Sequence, residues 1–164
     1  MTQQDLIQAA PPIVKGKSVK FPLYSVSLVR ESVIPGQAGA LDSPAKTAAL
    51  LAPLMCESDR EKFVVVLLNT RNGVIGVNVV SVGTVSASLV HPRELFKPAI
   101  LAGAAAIIVA HNHPSNDISP SPEDRECTRR IVKAGELLGI PLLDHVIVGS
   151  SADRFYSFRE GGLL

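Results

Sequence analysis

The residue order predicts an α/β domain of the α+β type, with a mixed β-sheet flanked by helices. Short, β-branched apolar runs such as FVVVLLNT (63–70) and AAIIVA (105–110) have strand length and clear boundaries, as buried strands do. Helix starts marked by Ser-Pro or His-Pro pairs fall between them. The resulting order, roughly β-α-β-β-α-β-α-β-β, lacks the regular βαβ alternation of a doubly wound sheet. No glycine-rich phosphate loop follows any strand, so nucleotide binding has little support.

The chain of 164 residues suits one domain with its own core. Hydrophobic residues make up 46% and charged residues 19%, a globular rather than a disordered balance. Sixteen basic against fifteen acidic residues leave a net charge of +1, which gives no broad footprint for nucleic acid. Cys56 and Cys127 are too few and too far apart for a disulfide framework or a zinc ribbon, and read as reduced thiols. No signal segment is recognisable, and no apolar run reaches the ~20 residues that span a bilayer. The expectation is a cytoplasmic protein that does not engage a membrane.

Residues 1–19 read as a polar lead-in, and KFPLYSVSLVRESVI (20–34) as a strand that Pro22 confines to a sheet edge. The lead-in is expected to end at residue 42. Ser43-Pro44 then caps and opens a helix, which Pro53 should kink or end. The run at 63–70 is a strand, RNG a tight turn whose Asn-Gly pair tolerates positive φ, and VIGVNVVSVG (74–83) the returning strand. A helix is expected from His91-Pro92, although Pro98 lies inside it, and a buried strand from 105 to 110. SPEDRECTRRIVKAGELLG (121–139) carries the strongest helix pattern, with Gly139 as its stop. IPLLDHVIVGS and RFYSF supply two further strands.

The chemistry concentrates in AIIVAHNHPSNDISPSPEDRECT, residues 106–128. His111 and His113 share a face if the strand runs through them, because strand side chains alternate. Pro114 ends the strand, and the following loop returns Asp124 in the first turn of the next helix. Two imidazoles and one carboxylate leave a fourth position for water, the pattern of a catalytic rather than a structural zinc. A plainer reading exists. Ser121-x-x-Asp124 is also a capping pattern with Pro122 at the first helical position, so Asp124 could simply satisfy the helix end. Geometry alone leaves the two open.

The same stretch resembles the motif of the JAMM (MPN-plus) metalloproteases: His-x-His-Pro, six residues, Ser, two residues, Asp. Here these are His111, His113, Pro114, Ser121 and Asp124, with every spacing kept. The surrounding HPRELFKPAILAGAAAIIVAHNHPS, PLLDHVIVG, YSF and terminal GGLL are similar to the RadC-like branch of that superfamily. The resemblance covers residues 43–164. It implies a single MPN domain with cytidine-deaminase-like layering, and a zinc held by His111, His113 and Asp124. It implies a zinc-activated water cleaving a peptide or isopeptide bond, hence a protein or peptide substrate. Ser121 would stabilise the oxyanion. The catalytic glutamate of that superfamily enters a strand well upstream, which points to Glu61, fifty residues ahead of His111. Glu94 in HPREL is the rival base, with the helix dipole as its plainer role, and Glu57 is a weaker candidate.

Two departures stand out. Asn116 replaces the glycine that usually follows HNHPS, although asparagine tolerates left-handed backbone angles. Residues 1–42 show no sign of the helix-hairpin-helix region of longer RadC proteins, so the chain resembles a short form. The alternative function is a DNA-repair-associated accessory or protein-interaction module that binds metal without catalysis. Of the remaining residues, His145 reads as a core histidine or a support to the site, and Asp144 as an orienting partner for an imidazole or a buried hydrogen-bond acceptor. His91 reads as a helix start, and Cys127 as helix packing.

Overall fold

The computed structural model describes residues 20–36, 39–83 and 90–164. The lead-in expected over 1–19 lies outside them. Helix α1 (Pro44–Met55) opens as its sequence dictates: Ser43 is extended, its hydroxyl accepts from Lys46 N, and Pro44 follows. Pro53 lies inside the helix, which ends two residues later. Strand β1 (Glu61–Leu68) turns through Asn69–Gly73 into β2 (Val74–Gly83). Asn69 Oδ1 accepts from Arg71 N and Gly73 N, and Asn72 takes the left-handed conformation at φ 57°. Helix α2 (Pro92–Leu101) is capped by His91, whose Nδ1 accepts from Arg93 N. Strand β3 (Ala106–Asn112), α3 (Pro122–Leu138), β4 (Leu142–Val148) and β5 (Phe155–Ser157) complete the domain. Gly139 ends α3 at φ 68°, where a Cβ would add strain.

Among the described residues, five strands form one mixed sheet in the order β2-β1-β3-β4-β5. Only β3 and β4 run parallel, and α3 is the crossover that a parallel pair requires. Both faces of β1 are covered. Phe63, Val65 and Leu67 pack with Leu95, Phe96 and Ile131 of α2 and α3. Val64, Val66 and Leu68 pack with Ala48, Leu51 and Met55 of α1. Three layers follow, α1 on one side of the sheet and α2 with α3 on the other, and this is why β1 and β3 read as unbroken apolar runs. The expected mixed sheet flanked by helices is the architecture found.

One expected element is not formed. Residues 20–36 contain no strand, and Phe21, Leu23 and Tyr24 are 84%, 100% and 80% exposed. The edge strand expected over 20–34 is therefore corrected. A strand exists only through its ladder, and the pairing beside the β1–β2 turn is a single bridge between Ala40 and Gly73.

Candidate metal centre

Strand register assembles the site. Phe63 of β1 pairs with His111 of β3 in an antiparallel ladder. Continuing that register by two residues sets Glu61 opposite His113. The ladder stops at this point, and the Asn112 side chain takes over its hydrogen bonds. Asn112 Oδ1 accepts from Lys62 N at 2.9 Å and Nδ2 donates to Arg60 O at 3.1 Å. The two backbone groups flanking Glu61 are thereby fastened to the strand carrying the histidines. Ligating atoms of Glu61, His111 and His113 all lie within 4.8 Å of one another.

Asp124 completes the cluster from α3. Its Oδ1 is 3.2 Å from His111 Nε2 and its Oδ2 is 3.5 Å from His113 Nε2, while the two Nε2 atoms are 3.0 Å apart. The capping box is present as well: Ser121 Oγ accepts from Asp124 N at 3.0 Å, and Ser121 N donates to Asp124 Oδ2 at 2.8 Å. Asp124 thus serves the helix end and faces both imidazoles. Strand β3 ends at Asn112, one residue before His113, yet both imidazoles point to one place. Beyond them, Asn116 adopts φ 60°, the left-handed angle that asparagine accepts in place of glycine.

The donor set can be tested against a metal ion. A tetrahedral ion with bonds of ~2.0–2.1 Å needs neighbouring donors about 3.3–3.4 Å apart. The spacing of 3.0 Å between the imidazoles, and those of 3.2 and 3.5 Å from them to the two Asp124 oxygens, lie around that value. His113 Nδ1 donates to Asp117 O at 2.6 Å, which leaves the lone pair of the neutral ring on Nε2, facing the cluster. The residues fit an ion.

Electrostatics agree with this geometry. The hydrogen bond to Asp124, opposed by burial, raises the His113 pKa above its ordinary value. Burial would raise the Asp124 carboxyl, but contacts with His111 and His113 overcome it and hold the group far below the usual carboxylate range. Burial pushes the Cys127 thiol up to about 11, so that residue is packing and not a nucleophile.

Other candidates lie elsewhere. Glu94 is exposed on the first turn of α2, where Lys97 and Arg93 hold its carboxylate at 2.5 and 3.2 Å. Glu57 is exposed in the turn after α1. Asp144 faces the α1 side of the sheet and orients no imidazole. It accepts from Ser157 Oγ, His145 N and Arg159 N and organises the turn after β5. Strand alternation sends its neighbour His145 the other way, to the centre, where its Nε2 is 2.8 Å from His111 Nδ1. Two participants escaped the sequence reading, Asn112 and Thr128. The first sits inside the His-x-His triplet. The second lies one helical turn beyond Asp124, a spacing that places both on one face of α3.

A family model described as the RadC-like JAB domain matches residues 41–163. The chain belongs to this family. Among relatives of the RadC-like domain, a UPF0758 protein of Rubrobacter xylanophilus is 55% identical over 124 residues, covering 76% of this chain and 53% of the relative. A UPF0758 protein of Symbiobacterium thermophilum is 52% identical over 136 residues, covering 83% and 57%. A UPF0758 protein of Methanosarcina acetivorans is 46% identical over 122 residues, covering 74% and 52%. The chain spans about half the length of these curated relatives. Among the described residues, no helix is long and apolar enough to cross a membrane.

Proposed function

We propose that this RadC-like domain is a zinc-dependent hydrolase acting on a peptide or isopeptide bond. His111 Nε2, His113 Nε2 and an Asp124 carboxylate oxygen would hold the ion. The supporting observation is the convergence of two imidazole nitrogens and two carboxylates, Glu61 and Asp124, from three separate elements. A bound zinc supplies Lewis acidity, bringing the pKa of a water near neutrality and polarising a carbonyl. Glu61, beside this place but outside the proposed ligand triad, takes the proton of the attacking water and returns it to the leaving nitrogen. Ser121 Oγ spends a lone pair on the helix cap, which leaves its proton free to donate to the developing oxyanion. Asn112 keeps Glu61 in register with the histidines.

Metal analysis and a peptide-hydrolysis assay test this reading together. Wild type should carry about one zinc per chain, His113→Ala should lose it, and Glu61→Gln should keep the metal and lose hydrolysis. Zinc content untouched by His113→Ala would refute the ligand assignment. Salt-sensitive DNA binding by a protein without hydrolytic activity would point instead to an accessory module.

A further inference from the structure

His145 and Thr128 form a hydrogen-bonded path between two of the proposed ligands. Thr128 Oγ1 lies 2.7 Å from Asp124 O and 2.7 Å from His145 Nδ1. His145 Nε2 in turn lies 2.8 Å from His111 Nδ1. A hydroxyl has one proton, and the carbonyl of Asp124 can only accept. The Thr128 proton therefore goes to Asp124 O, and Thr128 Oγ1 accepts from His145 Nδ1–H. His145 is wholly buried, with Phe158 stacked on it at 4.5 Å and Phe63 edge-on at 5.5 Å. A second proton there would put a charge among aromatic rings, at a large desolvation cost. His145 Nε2 is consequently bare and accepts from His111 Nδ1–H. The proton order ends with the His111 lone pair on Nε2, facing Asp124 and His113.

We infer that Thr128 and His145 are positioning residues that fix the tautomer and ring orientation of His111 for metal binding, and couple β3 to the turn of α3 that carries Asp124. This inference rests on the proposed metal site, but its proton order is a property of the metal-free protein. A His145→Gln side chain can place its amide oxygen near the former Nε2 and accept from His111. His145→Leu cannot, and strands the His111 Nδ1–H in an apolar pocket.

Two measurements on the full chain decide the matter. Long-range 1H–15N NMR of the metal-free protein at alkaline pH should show His111 and His145 each protonated at Nδ1 and bare at Nε2. Competition with a chromophoric chelator should show zinc binding about 10–100-fold weaker in His145→Leu, with His145→Gln close to wild type. Thr128→Val, which keeps the side-chain shape, should leave the protein folded and the His111 tautomer mixed. A His111 ring protonated at Nε2 in metal-free wild type would overturn the relay. So would a folded His145→Leu with wild-type zinc affinity. The expected tautomers in a protein that takes up no zinc would leave the relay standing and remove the metal reading. Zinc bound with a mixed His111 tautomer would do the reverse.

Discussion

Asn112 lies between the two histidines of HNH, and its side chain fastens the strand that bears Glu61. Its side chain satisfies Lys62 N and Arg60 O, two backbone groups that the end of the ladder would leave unpaired. Asn112→Ala should lower stability by about 1–3 kcal/mol, the usual cost of stranding such groups. It should also reduce hydrolysis while zinc content holds, because the proposed ligands keep their own contacts. Equal loss of zinc and activity would show that Asn112 shapes the ligands rather than the entry of β1. His145 teaches a related lesson about alternation: one step along β4 separates a residue of the centre from Asp144, which belongs to the opposite face.

Helix α3 carries two functions on its first turn. The capping box satisfies orphan backbone N–H groups, and the same Asp124 carboxylate faces the imidazoles. These roles of Ser121 can be separated by substitution. Ser121→Ala should cost about 1 kcal/mol in stability through the lost cap, whereas glycine at an N-cap costs only about a few tenths. Ser121→Gly should therefore remain near wild type in denaturant midpoint and still lose hydrolysis. Full activity in Ser121→Gly would remove the hydroxyl from the chemistry and leave it as a cap alone. The segment 20–34 shows the opposite case at this scale. Its Tyr-Ser-Val-Ser-Leu alternation is that of a half-buried strand, but no ladder receives it among the described residues.

Across the whole domain, the centre links stability to pH. Burial first, and the nearby His111 next, hold the His145 pKa well below the ordinary 6.5. The unfolded chain thus binds a proton that the folded protein refuses. Stability of the metal-free protein should fall as pH drops below 6.5, by up to about 1.4 kcal/mol per pH unit for this one group. Asp124, held low in the folded state, adds a loss in the same direction below its ordinary 3.8. The raised His113 acts oppositely, its contribution present in acid and lost as pH rises through its folded value. Urea midpoints from pH 7.5 to 5 should decline less steeply in His145→Gln than in wild type. Identical slopes would mean that His145 is not the group that titrates.

By itself the sequence determined whatever depends on neighbours along the chain. The Ser-Pro and His-Pro helix starts, the Asn-Gly turn, the Gly139 stop and the left-handed Asn116 are decided by local sterics and capping. The resemblance to a family motif also marked His111, His113, Ser121 and Asp124 as candidates, and it was legible because a strand end, a short loop and a helix start are contiguous. Only the tertiary structure set Glu61 beside the histidines and paired Glu94 with Lys97 and Arg93 instead, since the first placement rests on the β1–β3 register across fifty residues. It alone turned His145 inward and Asp144 outward, joined Thr128 to His111 through His145, and left 20–34 without a sheet. Register, facing and pairing are relations between distant segments, and packing rather than local preference decides them.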